Sequence, residues 1–166
     1  NLPIILSTIA ISCPKSLLNT VPGDRLSTNV FWQSEDEAIK SVNAIYPYLD
    51  GTNIFSWDAL TEIGHTNDFF TTDGNIEQDI YDASNPKMKG EWGDDYTGIE
   101  RSNYFLANID KIKTNDTALV NRLKAEARVL RAYQYITLAA FFGDVPLVTK
   151  PITIEEGKKM TRTPIA

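Results

Sequence analysis

The chain has 166 residues, 42% of them hydrophobic and 23% charged, which suits one globular unit with a core of its own rather than a disordered segment. Its formal net charge is −6 and no basic run interrupts it, so nucleic acid and anionic headgroups are poor partners, while neutral ligands and protein surfaces stay open. A single cysteine, Cys13, rules out an intrachain disulfide and a multi-thiolate zinc site.

The opening stretch "LPIILSTIAISC" is too short to span a bilayer as a helix but matches the apolar core of a secretory signal. Ala10 and Ser12 ahead of the cysteine suit a lipoprotein signal peptidase. Residues 1–12 therefore read as a signal peptide without its basic leader, Cys13 as a lipid-attachment site, and 13–32 as a tether. The alternative is a buried N-terminal strand with a free thiol. Asn1 stands where a methionine would start the chain, and Thr163-Pro164 reads as the cap of a helix that does not follow. We expect the front portion of a longer protein, with apolar helix surface left uncovered.

Ser34 opens the first helix, "SEDEAIKSVNAIYPYL". Ser34 and Glu37 form a capping box, and Ala38, Val42, Ile45, Tyr46 and Leu49 fall on one stripe, with Pro47 disturbing the last turn. "SWDALTEIG" predicts a short helix capped by Ser56 and stopped by Gly64. Residues 51–91 otherwise lack a sustained period and read as a long ordered excursion over the surface. A long helix follows from about Trp92 to Ile112, with Trp92, Tyr96, Ile99, Leu106 and Ile109 on one face and Asn103 among them. After the turn "KTNDT", with Asp116 or Thr117 as cap, another runs from Ala118 to Phe142, roughly 37 Å. Val120, Leu123, Ala127, Leu130, Gln134, Leu138 and Phe141 line it, and Ala132, Tyr135 and Ala139 widen the stripe. So short a turn makes the two an antiparallel hairpin, and so wide a stripe asks for more than one neighbour. Gly143 should end the helix in the left-handed conformation, and "VPLVTKPI" should continue as an edge strand.

These residues resemble a known family. "AEARVLRAYQYITLAAFFGDVPLVTKPI" is similar to a stretch distinctive of the SusD/RagB nutrient-binding lipoproteins of Bacteroidota. "FWQSEDEAIKSVNAIYPYL" and "WGDDYTGIERSNYFLANIDKI" agree in the same order, as does "LLNTVPGDRLST" after Cys13. The resemblance implies a mainly all-α fold, a tetratricopeptide-like scaffold of helix pairs with long irregular loops. Residues 33–166 would be the incomplete N-terminal region of such a protein. It also implies an acylated Cys13, a place on the outer membrane, and a partner, a SusC-like TonB-dependent transporter that imports a glycan or other nutrient. Asn103 matches a recurrent asparagine of the family, with the structural role of a buried amide bonded to a neighbouring backbone.

Sugars are held by flat aromatic faces and planar polar groups. Trp57, Asn67, Asp68, Phe69 and Phe70 are the candidate ligand-binding residues, with Asn75 and Tyr81 nearby in the same excursion. The alternative is that these aromatics plug the scaffold, as Trp92 on the helical stripe is expected to do. Arg128 and Arg131 are expected to pair with carboxylates, Glu126 among them. His65 is the one histidine and has no partner at ligand spacing. Aligning Asp73-Gly74 with a calcium loop places Phe69, Thr71 and Ile80 at ligand positions, so no metal or cofactor is expected. No nucleophile motif is present, and the expectation is a binding protein rather than an enzyme. The rival class is a lipoprotein adaptor of helical repeats that binds proteins and has no small-molecule site.

Overall fold

Local capping signals decide where the helices of this chain begin. The computed structural model describes residues 31–49, 57–61, 64, 72–82 and 84–164, nearly all within the unit Trp32–Ala166. The expected signal peptide and nearly all of the tether, with Cys13, lie outside the described residues, as do His65, Asn67, Asp68, Phe69 and Phe70.

The helix expected at Ser34, α1, is Glu35–Asn43. Ser34 Oγ accepts the Glu37 N–H at 3.4 Å and the Glu37 carboxylate accepts the Ser34 N–H at 2.9 Å, the reciprocal box expected from the sequence. The Gln33 N–H, also bonded to that carboxylate at 2.8 Å, is the main reason its pKa lies below the usual range. Pro47 sits in a 3-10 turn, Tyr46–Tyr48. The tightened turn breaks the helical spacing, so Ala38, Val42 and Ile45 are buried while Tyr46 is 44% exposed. Of the short helix expected here, Trp57 is helical and Asp58–Leu60 form a 3-10 turn, with the Thr61 hydroxyl donating to the Asp58 carbonyl at 2.9 Å, while the expected cap Ser56 lies outside the described residues.

The excursion expected over 51–91 is partly helical. A short helix, α2, covers Thr72–Glu77, and α3 runs Pro86–Asn108, starting ahead of the expected Trp92. Its cap is Asn85, whose Oδ1 accepts the N–H groups of Lys87 at 3.0 Å and Met88 at 3.4 Å, with Pro86 at the first helical position. Asp116 caps the next helix, α4, accepting the Leu119 N–H at 2.8 Å. This helix, Thr117–Phe142, is about 39 Å long.

The two long helices run antiparallel. Lys124 pairs with Asp110 at 2.5 Å near one end, Arg131 with Asn103 at 2.6 Å midway, and Ile99 packs with Leu138 beyond. Buried along the pair are Met88, Ile99 and Ile109 on the α3 side and Leu123, Ala127, Leu130 and Leu138 on α4. Phe105, not Leu106, is fully buried on α3, its ring 6.0 Å from that of Trp32. It occupies the flank toward α1, which packs against both long helices. Arg101 fastens that flank, donating to the Ala44 carbonyl at 3.3 Å with its guanidinium 4.7 Å over Tyr48. Glu126 accepts the Tyr46 hydroxyl at 2.7 Å rather than pairing with Arg131.

Gly143 ends α4 with φ 64 and ψ −130. The positive φ was expected, but ψ lies outside the left-handed helical region and resembles the first central position of a II′ turn, a conformation only glycine takes readily. The strap that follows is not an edge strand. Its one ladder contact is an antiparallel bridge between Val145 and Thr163. Side chains take its carbonyls instead: Tyr96 reaches Pro146 at 2.8 Å, Asn103 reaches Val148 at 2.9 Å and Arg131 reaches Thr149 at 3.0 Å. With these groups satisfied from the helices, no partner strand is needed. A four-residue helix, α5, Ile154–Gly157, follows behind a Thr153–Glu156 capping box. The mainly all-α fold is as expected, and among the described residues no helix is long and apolar enough to cross a membrane.

Candidate functional site

The corner at Gly143 leaves an aromatic groove beside it. Adjacent residues on a helix point about 100° apart, so Phe141 and Phe142 reach different aromatic partners while lining the same groove. Phe142 packs edge-on against Trp92 of α3, ring centroids 5.1 Å apart at 86°, and Trp92 lies 4.9 Å from Tyr96. Phe141 turns the other way and meets Trp57 at 4.0 Å. Beneath them lie Ile99, Leu138 and Val145.

Phe141, Phe142, Trp92 and Met88 form the apolar wall of a cavity of about 470 Å³, and Tyr81, Asp82, Lys89 and Arg162 complete its lining. Arg162 braces the corner, donating to the carbonyls of Phe142 at 3.0 Å and Asp144 at 2.9 Å. Tyr81 arrives by a local device. Asp79 takes φ 57, which a short polar side chain tolerates, and the Ile80 N–H closes onto the Asn75 carbonyl at 2.8 Å. This ends the α2 region and leaves the Tyr81 ring 49% exposed.

On its far side Tyr81 borders a second, more polar depression lined by Asn75, Asp79, Ser84 and Asn85, which shares Asp82 with the groove. The Ser84 hydroxyl donates to the Asp82 carboxylate at 2.6 Å and the Ser84 N–H at 2.8 Å, holding its pKa below the ordinary value. Asp82 is thus an ionised acceptor beside an exposed aromatic face. Among the described residues no three His, Cys, Asp or Glu side chains gather closely enough to hold a metal ion.

Of the sequence-derived candidates, Trp57 lies against the groove wall through Phe141, with the Lys87 ammonium 4.8 Å over its ring. Asn75 and Tyr81 come together in the polar depression. Trp92, expected in the core, is half-buried and faces the groove. Phe142, Lys89 and Arg162 were not anticipated. The adjacent pair Phe141-Phe142 was the available signal, since two rings about 100° apart on the last turn reach different neighbours.

The rear of the groove is pinned by two phenols. Tyr96 donates to the Pro146 carbonyl, while Tyr135 donates to the Val148 carbonyl at 3.1 Å and accepts its N–H at 2.6 Å. Burial pushes both pKa values up, with Tyr135 adding to the effect on Tyr96. A raised folded-state pKa means that their contribution is complete below the ordinary tyrosine value of about 10 and is lost as pH rises through the folded values. The denaturant midpoint of the full-length protein should therefore fall above that pH, and less steeply in a Tyr96→Phe, Tyr135→Phe double variant. Equal slopes would contradict this.

Comparison with known proteins gives a consistent result. The family profile SusD-like_3, described as "Starch-binding associating with outer membrane", matches residues 24–165. SusD-like protein P25 of Formosa agariphila is 25% identical over 174 residues, covering 96% of this chain and 33% of its own length. SusD-like protein P38 of the same organism is 26% identical over 157 residues, covering 89% and 29%. Among solved structures, a SusD-like carbohydrate-binding protein of Bacteroides fragilis superposes with a TM-score of 0.70 at 27% identity, covering 81% of this chain and 28% of its own. A laminarin-binding SusD-like protein shares the fold at 23% identity with a TM-score of 0.71, covering 80% and 31%. This chain spans about a third of the length of the relatives it matches.

Proposed function

Because this chain belongs to the SusD-like family, we propose that it forms part of a glycan-binding subunit of an outer-membrane nutrient-uptake complex. The observation that carries the reading is the exposed Tyr81 face between an aromatic groove and a polar depression. A pyranose ring stacks on an aromatic through its C–H face while its hydroxyls need planar acceptors and donors, here Asp82 and Asn75. Trp57, Asn67, Asp68, Phe69 and Phe70 are proposed to extend the same surface.

The protein acts by holding and handing over its ligand, without catalysis. Residues 1–12 direct export, Cys13 carries the lipid anchor, and residues 13–32 form the tether to the outer membrane. The recipient of the ligand is a SusC-like TonB-dependent transporter. Each of these steps follows the family pattern.

The test is calorimetry or affinity electrophoresis of the full-length protein against a panel of polysaccharides and peptides. At least one glycan should bind. Tyr81→Ala should then weaken it about tenfold, the value of one aromatic contact, without moving the unfolding midpoint. Trp57→Ala should weaken it in the same direction. No binding to any member of the panel would favour the protein-interaction adaptor instead.

A further inference from the structure

The two depressions on either side of Tyr81 carry opposite charge. The polar one is lined by two acids, Asp79 and Asp82, and by no cation among the described residues. The aromatic groove has two cations, Lys89 and Arg162, against Asp82 alone. Among the described residues no carboxylate forms an ion pair with either cation. Arg162 is held all the same, since both of its bonds, to the carbonyls of Phe142 and Asp144, leave from Nη1. The guanidinium is thereby fixed, and its Nε–Nη2 edge has no partner among the described residues. That edge can meet a carboxylate through two parallel bonds. This local excess of positive charge runs against the net charge of −6 carried by the chain.

A ligand that covers the groove takes water away from these two cations, because the wall beside them is Phe141, Phe142, Trp92 and Met88. A neutral sugar would leave both charges uncompensated there, at a cost that a counter-charge removes. We infer, resting on the glycan-binding reading, that the groove takes a uronate, an acidic sugar whose carboxylate meets Arg162 and Lys89. A uronic acid is divided as the site is, with its carboxylate at one end of the ring and hydroxyls along the other. Stacked on Tyr81, it offers its charge to the groove and its hydroxyls to Asp82, Asp79 and Asn75. The acidic remainder of the surface repels polyanions that bring charge without a sugar face, which sharpens the selection.

The test is calorimetry of the full-length protein with polygalacturonate, alginate and a glucuronate polymer, each beside the same polymer with its carboxyls reduced to hydroxyls. At least one acid form should bind about tenfold more tightly than its reduced form, the value of a charge-assisted bond. Lys89→Gln should bring that ratio close to one, and added salt should narrow it in the wild type. Dextran sulfate and polyglutamate should bind no better than the reduced polymers. Either of them bound as tightly as the polyuronate would mark attraction to charge alone and overturn the inference. Glycan binding with no preference for the acid form in any pair, or a preference that Lys89→Gln leaves intact, overturns it too, while the glycan-binding reading stands. Failure to bind any polymer, acid or neutral, sinks both.

Discussion

Replacing Asn103 by alanine should destabilise the full-length protein by about 2–3 kcal/mol and loosen the strap beyond Gly143. Asn103 is 1% exposed and uses both ends of its amide. Its Nδ2 donates to the Val148 carbonyl at 2.9 Å and reaches that of Lys150 at 3.5 Å, and its Oδ1 accepts from Arg131 at 2.6 Å. Arg131 in turn holds the Thr149 carbonyl at 3.0 Å. Alanine therefore strips an acceptor from the Arg131 guanidinium and one of two donors from the Val148 carbonyl, which keeps the Tyr135 hydroxyl, and it empties the volume of a buried amide as well. The unfolding midpoint reports the loss, and limited proteolysis should show new cleavage between residues 145 and 153. Asn103→Asp is the sharper control. A carboxylate keeps the Arg131 contact but faces Val148 with an acceptor, so it should restore only part of the stability. Wild-type behaviour in both variants would remove Asn103 from its structural role.

Gly98→Ala should be the second large effect, against the usual sign. Alanine in a helix interior ordinarily gains about 1 kcal/mol over glycine. Here a Cβ would fall 1.8 Å from Gln134 Nε2 and 2.5 Å from its Cδ. The end of a glutamine is flexible, but this one is fully buried, and neither amide atom has a hydrogen-bond partner. It has nowhere to swing. We expect a net loss of about 2 kcal/mol, within the range for overpacking. The decisive measurement is a double-mutant cycle with Gln134→Ala, which clears the space. In that background Gly98→Ala should become neutral or stabilising, a coupling of about 2 kcal/mol between facing residues. Additive effects would mean that the helices do not meet at this point.

Much of this architecture was readable wherever a short-range rule acts alone. Ser34 with Glu37, Asp116 ahead of its helix and Gly143 at the corner need only neighbouring residues to explain them, and each was found. The start of α3 was missed although Asn85-Pro86 is a cap followed by a first-turn proline, because the polar residues around it hid the signal. Phe105 was missed for another reason: a single stripe assumes one neighbour, and α3 has α1 on its other flank. The strap was misread because alternation describes which residues face the core, not what satisfies the backbone. Tyr96, Asn103 and Arg131 perform that task from distances of 18 to 50 residues along the chain. The groove was half legible. Tyr81 and Asn75 stood out as aromatic and polar residues in irregular sequence, but the meeting of Tyr81 with Trp92 and Phe142 depends on how the hairpin ends.

The bridge between Val145 and Thr163, clamped by Arg162, brings the two feet of a hoop together at the end of the hairpin. Residues 146–150 are tied to the long helices, but beyond Lys150 the chain rises free of those ties, and the frame below is little affected by its length. Lengthening a closed loop costs only about 0.6 kcal/mol for each doubling, so the crest around Ile154–Gly157 can lengthen or shorten among related proteins at little cost. Evolution is thereby given a place to graft new recognition surface without renegotiating the hairpin that supports it.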